Sequence, residues 1–181
     1  MPGAGARAKG VRLKRRQDWA RQLEAEVLCG LHQPFVWHDN DCASAAARWV
    51  EAMTGVDLFA PFRAARLRYR SERTAATRAR RFLESQGVAA VEPRTAFAAA
   101  IALQCARHGL TDVAPAYAQR GDLLLLEVPE DEAGATGPVT LGLVYLNGSD
   151  VVTQAGTGVR FLPRRALLAE GLVVRAWGIP L

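Results

Sequence analysis

An α+β domain, helices first and an antiparallel sheet of about five strands after them, is what this sequence predicts, on three observations. Between 42 and 53 the residues Cys42, Ala45, Ala46, Trp49, Val50 and Met53 recur at spacings of three and four, the mark of a helix with one buried face. From Arg120 onward the alanine-rich helical patterns give way to short runs of leucine and valine bounded by turn residues. Within that stretch Asn147-Gly148 is a strong tight-turn signal between two strands. A chain of 181 residues, half of them apolar, is long enough for one core and too short for two large domains. The reading is a single domain over 18–181, helical over 18–119 and a sheet over 120–181, preceded by residues 1–17 as a flexible basic arm.

That arm is glycine, alanine and basic residues with almost nothing to bury. Asp18 is placed to cap a first helix over 19–29, with Trp19, Leu23 and either Val27 or Leu28 on its apolar stripe and Gly30 as its stop. A connector follows over 31–40, where Pro34 prevents the helix from continuing and Phe35 and Trp37 are placed to wedge against the next helix. Asp41 is a good N-cap for the helix at Cys42, and Gly55 a good residue for its end. After an arginine-rich loop anchored by Phe59, Phe62 and Tyr69, Ser71 or Thr74 opens a peripheral helix that Gly87 stops. Val88 to Val91 is a brief extended piece. Pro93 suits the first position of a helix reaching His108, with Cys105 in its core-facing stripe. The predicted strands are 122–128, 139–146, 151–154, 159–161 and 173–177, with an acidic, then glycine-rich loop over 129–138 and a short helix over 163–169.

Composition excludes several classes of function. No run approaches the roughly 18 apolar residues of a membrane span, and the basic N-terminus lacks the apolar stretch of a signal peptide. A soluble protein made in the cytoplasm, with no membrane span, is the expectation. Cys29, Cys42 and Cys105 are widely spaced, and His32, His38 and His108 add no paired ligand spacing, so neither a disulfide framework, a bound metal nor a cofactor is predicted. The net charge of +5 is concentrated in two blocks, 7–16 and 63–81. Such blocks bind phosphates, but no aromatic residues interleave with the first and no nucleic-acid-binding motif accompanies either. They read as a solvated or interface-forming face, with nucleic-acid contact as the alternative.

Cys42 is the candidate nucleophile. A helix N-terminus carries partial positive charge, which lowers a thiol pKa toward the attacking thiolate. His38, four residues earlier, is the nearest candidate base.

Two separated stretches then line up with a known pattern. A helix opening Asp41-Cys42-Ala43, a strand opening Arg120-Gly121-Asp122-Leu123, and a second strand Leu141-Gly142-Leu143-Val144-Tyr145 resemble the NlpC-type cell-wall cysteine peptidases, a circularly rearranged papain-like fold. More closely, Asp18-Trp19, Pro34-Phe35-Val36-Trp37, Asp41-Cys42, Thr54-Gly55-Val56-Asp57 and Phe62-Arg63 look like a family of short phage and prophage tail-tip proteins related to that superfamily. The resemblance covers the chain from Asp18 onward. It implies Cys42 at the nucleophile position and the base at the start of the second strand, where this chain has Thr140. It implies an orienting residue on the next strand, where Thr153 or Gln154 falls. Threonine does not take a proton from a thiol near neutral pH, and Gln154 has no imidazole there to orient. Where the phage family places a histidine directly before Asp-Cys, this chain has Asn40.

Three functions follow. The first is a structural component of a phage tail tip or distal tail hub that keeps a peptidase-like fold without its catalysis, found in the virion and partnered by other distal tail, hub or tip proteins. The second is an active cysteine peptidase or amidase acting on peptidoglycan during phage entry, with Cys42 and a relocated histidine. The third is a tail protein that contacts nucleic acid through the basic blocks.

Overall fold

The computed structural model describes residues 12–64, 68–89, 92–127 and 139–181. The early part of the arm, Arg66 in the second basic block, the end of the extended piece at 90–91 and the loop 129–138 lie outside the described residues. Helices α1 (Trp19–Gly30), α2 (Cys42–Thr54), α3 (Ala60–Ala64), α4 (Glu72–Ser85) and α5 (Pro93–Arg107) precede most of the sheet. The strands are β1 (Thr111–Val113), β2 (Leu123–Glu127), β3 (Val139–Val144), β4 (Asp150–Ala155), β5 (Gly158–Pro163) and β6 (Val173–Gly178), with α6 (Arg164–Ala169) before the last. They form one six-stranded sheet in the order β1-β6-β2-β3-β4-β5, and every pairing is antiparallel. The chain is therefore an α+β protein with one strand more than predicted. β1 is three residues long and pairs only with β6, too short to leave a periodic signal.

Helix ends follow their local chemistry where the backbone allows it. The Asp41 carboxylate accepts the Ser44 N–H, and Gly55 closes α2 at φ 76°, a left-handed conformation that costs glycine nothing. Ser71 and Thr74 cap each other at the start of α4. Asp18 is the exception: it occupies the N-cap position of α1, but its side chain makes no cap bond. Its carboxylate accepts from Gln22 Nε2 at 2.7 Å instead. Gly30 is the last residue of α1 rather than its stop.

The sheet is covered on both faces. Leu123, Leu125, Leu141, Leu143, Val152 and Trp177 pack in one core with residues of α1 and α2, including Trp49, Val50 and Met53. Leu124, Leu126, Val144, Val151 and Ala176 pack in a second core with Leu167 of α6. This is why β2 opens with an unbroken run of leucines rather than an alternation: residues pointing either way are buried. α4 and α5 form a small cluster of their own through Ala79, Phe82, Leu83, Ala96 and Ala100.

The arm prediction needs correction at its C-terminal end. Leu13 is 2% exposed, and the backbone N–H groups of Leu13, Arg15 and Arg16 donate to His108, Pro180 and Met53. Arg15 is buried too, with its Nη2 2.7 Å from Asp122 Oδ1. Residues 12–17 thus belong to the packed domain. One leucine and one arginine with a distant partner leave no periodicity for a sequence reading to find.

Candidate functional site

The turn before α2 is closed by a single carboxylate. Asp41 is 2% exposed; its Oδ1 accepts from Ser44 N and its Oδ2 from His38 N, each at 2.8 Å. The Ser44 hydroxyl donates back to the His38 carbonyl at 2.8 Å. His38 adopts φ 73°, a left-handed conformation costly for a residue with a Cβ and held here by these three bonds. Its ring stands edge-on to Tyr69, with centroids 5.1 Å apart. Burial, followed by the Asp41 charge and hydrogen bond, pushes the Tyr69 hydroxyl far above its ordinary value. Tyr69 was expected only to anchor a loop. It packs instead against the His38 turn, and its distance along the chain hid the pairing.

Cys42 is 6% exposed, and its thiol is pushed up to about 11. Burial is the largest cause and the Asp41 charge the next; hydrogen bonding to the Thr140 side chain and to the backbone of Leu141 and Ala43 pulls the other way. The direction is opposite to the one expected of a thiol at a helix N-terminus. The partial charge there is real, but desolvation of a thiolate and an adjacent carboxylate outweigh it. His38, the candidate base, has its ring against Tyr69.

Thr140 and Cys42 are brought together although they lie on separate parts of the chain. The β3–β4 register begins at Gly142↔Thr153, and ahead of it Thr140 and Leu141 meet the first turn of α2. Thr140 Oγ1 lies 3.3 Å from Thr153 Oγ1, and Thr153 Oγ1 donates to the Leu141 carbonyl at 2.7 Å. The two hydroxyls form one buried chain near the thiol, with Thr140 and Thr153 only 3% and 4% exposed. Hydroxyls of this kind donate and accept hydrogen bonds but do not hold a proton taken from a thiol at neutral pH.

Gln154 is not part of that chain. It follows Thr153 on β4, so the two side chains leave opposite faces of the strand. Its Nε2 donates to the Gln33 carbonyl at 2.8 Å, fastening the connector to the sheet. Asn40 braces the connector on itself and on α2, donating to the carbonyls of Gln33 and Pro34 and accepting from Arg48 Nη2. Asp122, of the Arg-Gly-Asp-Leu stretch, ties three segments together. It accepts from Arg15, from Gln119 N at 2.7 Å and from Ile179 N at 3.1 Å. Among the described residues no group of three histidine, cysteine or acidic side chains is placed to hold a metal ion, and no helix is long and apolar enough to cross a membrane.

Residues 14–178 match the model of a family described as Domain of unknown function (DUF6950). The chain belongs to this family. The DUF6950 match takes in Cys42, His38, Thr140 and Gln154, and it begins within the segment that delivers Arg15 to Asp122. No curated protein matches the sequence.

Proposed function

We propose that this DUF6950 member is a structural component of a phage or phage-like tail tip, built on a papain-like, NlpC-type fold whose hydrolytic apparatus has been replaced by packing. The observation that carries the loss of catalysis is the burial of the Cys42 thiol, which pushes it up to about 11, beside the paired hydroxyls of Thr140 and Thr153. A helix-borne cysteine facing the start of an antiparallel strand is the arrangement the resemblance implies. On that resemblance this chain has Thr140 where the base would stand and Thr153 or Gln154 where its orienting partner would. A cysteine hydrolase needs a thiolate to attack and an acid to protonate the leaving amine. A buried thiol with its pKa near 11 supplies the first poorly, and threonine does not supply the second. The tail-tip role rests on the sequence resemblance, and partners in the distal tail or hub and a place in the virion come with it.

Two measurements test the two halves. Zymography and muropeptide release with the wild type and Cys42→Ala should show no hydrolysis by either; activity lost on substitution would sink the silent reading. Co-expression with phage distal tail and hub proteins, the partners that the resemblance implies, should yield a complex that co-elutes on size exclusion. Separate elution at micromolar concentrations would refute the structural role.

A further inference from the structure

The two basic blocks of the sequence meet different surroundings in the fold. In the first, Arg15 is buried against Asp122 at 2.7 Å and Arg16 lies 3.6 Å from Asp18, so two of its cations are already paired. The second leads into α4 and runs along it, and residues 68–85 hold six arginines, two glutamates and no lysine. Arg68, Arg70, Arg73 and Arg81 are exposed, and among the described residues none of them has an acidic partner. Positions 73, 77 and 81 are four apart and share the face of α4 opposite its buried Ala79, Phe82 and Leu83. Arg73 and Arg81 stand about 12 Å apart along the helix axis. Of the two acids, Glu84 is neutralised by Arg80 at 3.3 Å, and Glu72 points about 100° round the helix from Arg73.

We propose that this face of α4, with Arg68 and Arg70 at its start, binds the phosphate backbone of duplex DNA without reading its sequence. A guanidinium grips phosphate oxygens through paired, parallel hydrogen bonds, which suits a surface built of arginine alone. A row of unpaired cations matches a regular array of phosphates by charge. Other anionic partners need something this face lacks, since no large apolar residue described between 68 and 107 is exposed. A single strand calls for aromatic rings on which to stack its bases, a lipid surface for apolar side chains to insert, and a protein interface for a buried apolar centre. The inference uses neither the Cys42 site nor the tail-tip reading, and it stands without either.

The test is fluorescence anisotropy of a labelled, mixed-sequence DNA duplex titrated with the full chain at several salt concentrations. The four exposed arginines lead us to expect that the logarithm of the binding constant falls with the logarithm of salt concentration at a slope of about −3 or steeper. Arg73→Gln combined with Arg81→Gln should weaken binding about tenfold or more at about 0.1 M salt and flatten the slope by about 2. Both side chains are exposed, so the melting temperature should not move. Arg12→Gln combined with Lys14→Gln removes the same charge from exposed positions of the first block and should weaken binding far less. Unlabelled single strand of the same sequence, poly-glutamate, and phosphatidylcholine vesicles containing phosphatidylserine are run as competitors and should each displace the duplex poorly at equal charge. An unchanged slope in the α4 double variant, an equal loss in the first-block variant, or a competitor as effective as unlabelled duplex would each overturn the proposal.

Discussion

The pH dependence of Cys42 alkylation distinguishes a packed thiol from a poised nucleophile. The thiolate is the reacting species, and the Cys42 pKa is raised from 9.0 to about 11. At pH 8 a thiol with the ordinary value is about one-tenth ionised, and one near 11 about one-thousandth, so labelling should be about 100-fold slower before any steric shielding is counted. Iodoacetamide labelling resolved by peptide mass spectrometry reads all three cysteines at once, with exposed Cys29 as the internal standard. Asp41→Asn should speed Cys42 labelling, because the Asp41 charge is the second cause of its raised pKa. Linkage gives an independent reading. A pKa raised in the folded state favours the neutral thiol, so its stabilising contribution is full below pH 9 and is lost as pH rises toward 11. At pH 10 the loss is about 1.4 kcal/mol. Urea denaturation at pH 8 and pH 10 should therefore show a smaller loss in Cys42→Ala than in wild type by about that amount. Cys105, shifted in the same direction by burial, contributes to both proteins and drops out of the difference. Labelling of Cys42 at pH 7.5 as fast as that of Cys29 would refute the reasoning and restore a reactive cysteine.

Two further substitutions probe the contacts that bring distant parts of the chain together. Asp122→Ala leaves Arg15 buried without its partner and orphans the N–H groups of Gln119 and Ile179, so a loss of about 3–5 kcal/mol is expected in urea denaturation. Arg15→Met, which keeps the apolar volume and removes the buried cation, should cost less. Gly158→Ala would place a Cβ 2.0 Å from the Leu31 carbonyl oxygen at a backbone φ of 153°, where the connector crosses β5. A drop of about 3 kcal/mol is expected there, seen as a lower melting temperature, whereas no change would mean that the connector does not hold its place against β5.

Local signals were legible where one residue and its near neighbours decide the outcome. Asp41 and Gly55 bracket α2, Ser71 caps α4, Pro93 opens α5, and Asn147-Gly148 makes the turn before β4. Signals failed where a competing contact was remote. Asp18 has the right chemistry for a cap, yet its backbone at ψ 17° does not aim the side chain at the helix, and Gln22 takes the carboxylate. β1 has too few residues to show a period. Leu13 and Arg15 gave no hint of burial, because the groups that bury them come from the far end of the chain.

For the candidate site, the sequence by itself determined that a capped helix would begin at Cys42, that threonine would stand at the start of the facing strand, and that helices would precede an antiparallel sheet. These follow from short-range stereochemistry and from the order of the elements. Only the tertiary structure decided what the thiol became. Burial by residues from several elements and the neighbouring Asp41 charge push it up, opposite in direction to what a helix terminus alone would do. The same packing turned Gln154 toward the connector and His38 toward Tyr69, since strand alternation and a left-handed backbone set where each side chain points.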